Sequence, residues 1–182
     1  MYMKATGIVR RIDDLGRVVI PKEIRRTMRI REGAALEIFT DKEGEVIFKK
    51  YSPLGELGTY SAQYAESISK VSGLTVAVCD RDTVVAASGA GSKDVAERSI
   101  SEQASALLES RKPFSAHDGD GYPFLTASGS GRISYLSPII SEGDVIGGIM
   151  LLQNGESGAL PDEADRKMIN AGALFLSKQF EV

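Results

Sequence analysis

Apolar residues in the first fifty positions come in short bursts, "GIV", "RVVI", "LEIF" and "VIF", separated by charged residues. These bursts predict strands over Thr6–Ile12, Arg17–Ile20, Leu36–Thr40 and Glu45–Lys49. Lys42-Glu43-Gly44 reads as the turn of a hairpin between the last two, with glycine at a positive-φ position. Pro21 closes the second strand and suits the first turn of a helix over residues 22–29. In that helix Ile24 and Met28 share a face, and the basic residues lie largely elsewhere on its surface. "GIV" and "RVVI" do not alternate, so both sides of those strands need cover. A unit of roughly fifty residues with one short helix buries too little surface to stand comfortably alone. A second copy is the natural solution, and an intertwined dimer is expected.

The rhythm changes after "SPLGELG", residues 52–58, where one proline and two glycines mark a boundary. The expected division is a first domain over 1–52, a linker over 53–58 and a second domain over 59–182. Leu57, Tyr60, Tyr64, Ile68 and Val71 recur at helical spacing up to Gly73. That helix packs on its own domain, bundles with a partner chain, or does both. "LTVAVCD" and "DTVVAAS" predict two strands turning at Arg81-Asp82. Ser92 is a candidate cap for a helix to about Ser110, with Ala96, Ile100, Leu107 and Leu108 facing inward. After the glycine-rich "HDGDGYPFLTASGSG" come strands "RISYLSPII" and "DVIGGIMLL", joined by Ser141-Glu142-Gly143. A last helix has Pro161 near its start, Asp162, Glu163 and Asp165 in its first turn and Lys178 in its last. The fold class is α+β, and the second domain is an antiparallel sheet flanked by helices.

Charge separates the halves further. The 182 residues carry a net charge of −3. Residues 1–52 hold 12 Lys/Arg against 8 Asp/Glu, and residues 1–31 hold 9 against 3. The rest of the chain holds 10 against 17. Such asymmetry points to different partners for the two parts. An acidic body also discourages loose contact of the second domain with polyanions. Arginine meets phosphates through charge and bidentate geometry, and guanine edges in the major groove. No apolar run approaches the roughly 18 residues of a membrane span, and "MYMKATG" lacks a signal-peptide core. A cytoplasmic, nucleoid-associated protein with no membrane partner is expected.

Candidate chemistry elsewhere is sparse. His117 is the only histidine and cannot make a metal site or a triad alone. Cys79, the only cysteine, sits in an apolar strand and reads as a small buried hydrophobe. Glu102 and Glu109 fit a solvated helix face better than a catalytic pair. Gly119, Gly121, Gly129 and Gly131 lack the lysine of a phosphate-cradling loop. No catalytic residue, metal or cofactor is expected.

"GIVRRIDDLGRVVIPKEIRRTM", within the segment Met3–Tyr51, closely resembles the N-terminal domain of AbrB-like transition-state regulators. The resemblance implies a swapped-hairpin β-barrel formed by two protomers, binding AT-rich, deformable double-stranded DNA through Arg10, Arg17, Arg25 and Arg26. On charge alone Lys4, Arg11, Lys22 and Arg29 join them as phosphate contacts. Asp13, Asp14 and Gly16 would shape the loop that delivers Arg17, Gly16 by adopting a backbone angle other residues resist. The second half is similar to a GAF domain in element order. Such domains often take a small molecule between the sheet and a helix-bearing loop, and "HDGDGYPFLTASGSG" would either line that site or form a surface loop. The chain as a whole is similar to regulators of sporulation genes, activators or repressors, that act in the forespore. That similarity implies a tetramer in which two barrel-linked dimers join through C-terminal helices. Two other readings are weaker. A GAF-type methionine sulfoxide reductase would need resolving partners for Cys79, and an antitoxin would carry a short tail rather than a second domain.

Overall fold

The computed structural model describes residues 6–28, 30, 32–56, 58–117, 121–153 and 160–180 and separates two units, Met1–Tyr51 and Ser52–Val182. In the first unit, helix α1 (Lys22–Thr27) begins directly after Pro21, and strands β1 (Leu36–Thr40) and β2 (Val46–Lys50) form an antiparallel hairpin. Ile38 stands opposite Phe48 and Phe39 opposite Ile47. The Asp41 carboxylate accepts the amides of Glu43 (3.0 Å) and Glu45 (2.8 Å), and Gly44 takes φ 85°, so the turn is fixed by side-chain capping and by glycine together.

The strands expected over 6–12 and 17–20 do not form within the single chain. The chain does reverse between them, where the Asp13 amide donates to the Arg17 carbonyl at 3.0 Å. A strand needs a neighbour to pair with, and this chain supplies none for those residues. The unit's described residues also form no core. None of its described residues is buried, and Val9, Ile12 and Val19 are 87%, 69% and 68% exposed. Such a run of exposed apolar side chains is far more than the scattered surface residues of a self-sufficient domain.

The second unit adds helices α2 (Pro53–Glu56) and α3 (Gly58–Ser72), strands β3 (Thr75–Asp80) and β4 (Val84–Ser88), and helices α4 (Ser92–Val95) and α5 (Glu102–Glu109). Strands β5 (Phe114–Ser115), β6 (Ile133–Ser141) and β7 (Asp144–Leu152) and helix α6 (Glu163–Lys178) follow. The sheet runs β4-β3-β7-β6-β5 and is antiparallel throughout. Both faces are covered, which explains why its central strands read as continuous apolar runs. Val76, Val78, Ile149 and Leu151 pack on one face with Ala65 of α3 and Ile169, Ala173 and Leu176 of α6. Ala77, Cys79, Met150 and Leu152 face the other way, onto Val95, Ala104, Leu108 and Leu125. α6 starts in a capping box in which Asp162 and Asp165 satisfy each other's backbone amides. α3 and α6 approach closely because Gly172 leaves the space that the Tyr64 ring fills. The Tyr64 hydroxyl then donates to the Met168 carbonyl at 2.6 Å.

In the second unit two more segments differ from the sequence pattern. The single helix expected from Ser92 to Ser110 is two, because residues 97–99 instead pair with the edge of β4. The Val84 amide donates to Arg98 (2.9 Å), the Glu97 amide donates to Val84 (3.1 Å), and Glu97 turns through φ 58°. Ser101, not Ser92, supplies the side-chain cap, accepting the Ala104 amide at 3.0 Å. Ile100 and Leu108 are buried as expected, whereas Ala96 and Leu107 are half-buried. The second difference lies at 53–56, expected as linker, which forms α2 with Leu54 fully buried. Ser52 donates to the Asp80 carboxylate at 2.6 Å and accepts the Gly55 amide at 3.0 Å. Gly147 makes room for Leu54, since any side chain there would strike Leu54 and the Cys79 carbonyl. Leu57, the first residue of the expected helical stripe, lies outside the described residues.

Candidate nucleic-acid interface

Arg10, Arg11, Arg17, Lys22 and Arg26 are exposed, and Arg25 is half-buried with its Nε enclosed and making no hydrogen bond. Lys4 and Arg29 lie outside the described residues. Among the described cations of this cluster Arg17 alone meets a carboxylate, that of Asp13, with Nε–Oδ2 at 2.8 Å. The rest stand available to an external anion.

Asp13 organises the loop that carries Arg17. Its Oδ1 accepts the amides of Leu15 (3.0 Å) and Arg17 (2.7 Å), and its main-chain oxygen accepts the Gly16 amide (3.0 Å). The Arg17 amide, and then its guanidinium, hold the Asp13 carboxyl below the usual carboxylate range. Gly16 sits at φ 76° with open space where a Cβ would be, so its constraint is backbone conformation and not crowding. The sequence reading placed Asp13 and Gly16 in this loop but missed the pairing with Arg17. Their four-residue spacing was its only signal.

The second unit holds a groove of about 1050 Å³ between α4 and residues 128–132, floored by Val95 and Leu152. Phe124 and Ser128–Gly131, from the glycine-rich stretch, line it, and so do Arg98 and Arg132, which sequence reasoning did not single out. Residues 118–120 of that stretch lie outside the described residues. Residues 124–130 are held by specific bonds: the Thr126 hydroxyl accepts the Ser130 amide at 2.8 Å and the Phe124 amide donates to Gln103 at 3.0 Å. Cys79 is buried, and burial pushes its thiol up to about 12. His117, Glu102 and Glu109 are exposed. Among the described residues no cluster of His, Cys, Asp and Glu could hold a metal ion, and no helix is long and apolar enough to cross a membrane.

Comparison with known proteins assigns both units. Residues 56–181 match the family model described as stage V sporulation protein T C-terminal, transcription factor. Residues 9–55 match the one described as antidote-toxin recognition MazE, bacterial antitoxin. Over 53 residues the chain is 62% identical to the transition state regulatory protein AbrB of Bacillus subtilis, covering 29% of this chain and 54% of that one. Two solved structures share the fold of the second unit. The second GAF domain of DevS from Mycobacterium smegmatis matches at TM-score 0.52 and 17% identity, over 68% of this chain and 91% of that one. A free methionine-R-sulfoxide reductase from Thermoplasma acidophilum matches at TM-score 0.53 and 14% identity, over 69% and 93%. An AbrB-like DNA-binding unit followed by a GAF-fold unit defines a transcription regulator. Across its length the chain is 45% identical to stage V sporulation protein T of Bacillus subtilis, over 98% of this chain and 99% of that one. The chain belongs to the stage V sporulation protein T family, regulators of sporulation.

Proposed function

We propose that two protomers interlock residues 1–52 into one β-barrel and present their cations on a shared face to double-stranded DNA. Arg10, Arg17, Arg25 and Arg26 make the principal contacts, and Arg11 and Lys22 add phosphate contacts, with Lys4 and Arg29 completing the set. The observation that carries this reading is the coincidence, in one unit, of an uncovered apolar surface and a cluster of cations of which, among the described residues, only Arg17 meets a carboxylate. A second copy would cover the former and double the latter. Recognition then rests on phosphate charge and on AT-rich deformability, since charge alone carries no sequence information.

The GAF-fold unit, in the same proposal, senses a small molecule in the groove beside α4 and joins two dimers into a tetramer through its helices. Val71 on α3 and Leu174 and Phe175 on α6 are exposed apolar residues suited to that contact. The unit is not a catalyst. A reductase of the methionine sulfoxide kind needs a reactive thiolate and a resolving thiol, and Cys79 is buried, protonated and the only cysteine. The protein acts in the cytoplasm of the forespore, at the nucleoid.

Light scattering on the whole chain and on residues 1–52 tests the assembly. The expected masses are four and two protomers. A folded, monomeric 1–52 fragment would overturn the interlocked unit. Arg17→Ala and Arg25→Ala should weaken DNA binding and leave the assembly intact.

A further inference from the structure

We propose that the groove between α4 and residues 128–132 binds a small molecule through a carboxylate or phosphate group held by Arg98 and Arg132. This rests on the second unit being the sensory half, and it specifies the chemistry sensed.

Both arginines are held by the fold. Arg98 follows the turn at Glu97, and its carbonyl takes the Val84 amide at 2.9 Å, which pins that segment to the edge of β4. Arg132 immediately precedes β6 and bridges to Phe124; its carbonyl accepts the Gln153 amide at 2.8 Å and its guanidinium carbon lies 5.7 Å from the centre of the Phe124 ring. A cation this close to a ring face is attracted to it, which favours holding Arg132 beside Phe124 in the groove lining. Neither guanidinium meets a carboxylate among the described residues.

The walls are closely packed. Gly131, at φ 70°, approaches α4 so closely that a Cβ would lie 2.8 Å from Val95 Cγ1. The Gly129 amide returns to the Thr126 carbonyl at 3.0 Å, which, with the Thr126 hydroxyl bond to Ser130, makes 126–130 a closed turn. Two arginines against the single acid Asp94 leave the lining with a net charge of +1. In a unit whose sequence is acidic overall, this is a local reversal of sign. Phe124, Val95 and Leu152 offer an apolar surface for the rest of the ligand.

The test uses the full-length protein and follows its thermal transition with citrate, with inorganic phosphate, and with sodium chloride at matched ionic strength. At saturation, citrate, phosphate or both should raise the transition by about 3 °C over the chloride control. A response to citrate alone identifies a carboxylate ligand, to phosphate alone a phosphate ester, and to both a shared oxyanion subsite. The doubly substituted Arg98→Ala/Arg132→Ala protein should lose that rise, while Lys167→Ala keeps it. If the double variant folds poorly, Arg98→Gln alone should reduce the rise and leave the unliganded transition within about 1 °C, because the Arg98 side chain is exposed. No rise in the wild type, or an equal rise in the arginine variants, would overturn the proposal. DNA affinity without added anion should be the same in wild type and double variant, so a failure here leaves the DNA-binding reading standing.

Discussion

Asp13 presents the account with a paradox that one pair of variants resolves. It is an acid beside Arg17 in the unit proposed to meet DNA, so charge alone says its removal should tighten binding. The geometry says otherwise, because the same carboxylate accepts two backbone amides and holds the Arg17 guanidinium. Asp13→Asn keeps an oxygen for the two amides and releases Arg17. Asp13→Ala removes the acceptor altogether. Each amide bond is worth on the order of two- to tenfold in the population of the ordered loop, and a dimer carries two loops. Asp13→Ala should therefore bind DNA about tenfold more weakly than wild type, and Asp13→Asn within about threefold of it, read by fluorescence anisotropy at fixed salt. The folded carboxyl lies below its ordinary value of 3.8, so its contribution is complete above that value and is lost only as pH falls through the depressed one. Assays near neutrality do not titrate it. If both variants bind more tightly than wild type, charge governs and the loop geometry is irrelevant.

Two further outcomes follow from the second unit. Gly172→Ala would drive a methyl into the Tyr64 ring and displace its bond to Met168. That overpacking should cost about 2 kcal/mol and lower Tm by about 4–8 °C, despite alanine's better helix propensity. A raised Tm would show that α3 and α6 are not in the described contact. Cys79 should resist iodoacetamide in the native protein at pH 8 and react only on unfolding, since the buried thiol titrates near 12. Raised above its ordinary value of 9.0, it leaves stability intact below that pH and withdraws it as pH climbs towards 12. Rapid, complete labelling of the folded protein would contradict the burial.

What could be read from sequence followed the range of the interactions involved. The hairpins β3–β4 and β6–β7 and the capped start of α6 are local, and spacing, turn residues and acids announce them. The break between α4 and α5 was invisible because the hydrogen bonds that cause it run from residues 97–98 to β4, and apolar spacing does not encode a sheet edge. Leu54 sits in a segment whose proline and glycines read as a linker, yet it fills the space above Gly147, a contact almost a hundred residues away in sequence. The strands at 6–12 and 17–20 fail for another reason: their partners are expected on a second chain. The groove arginines were missed because Arg98 and Arg132 come together only through the fold.

The salt dependence of DNA binding by the full-length protein bears most directly on the central claim. Four principal arginines on each of two protomers, most of them reaching phosphates, give a slope of log K against log salt on the order of −4 to −7, at about −0.9 per phosphate. Binding whose affinity stays flat across the salt series would contradict a cationic face made by two interlocked copies.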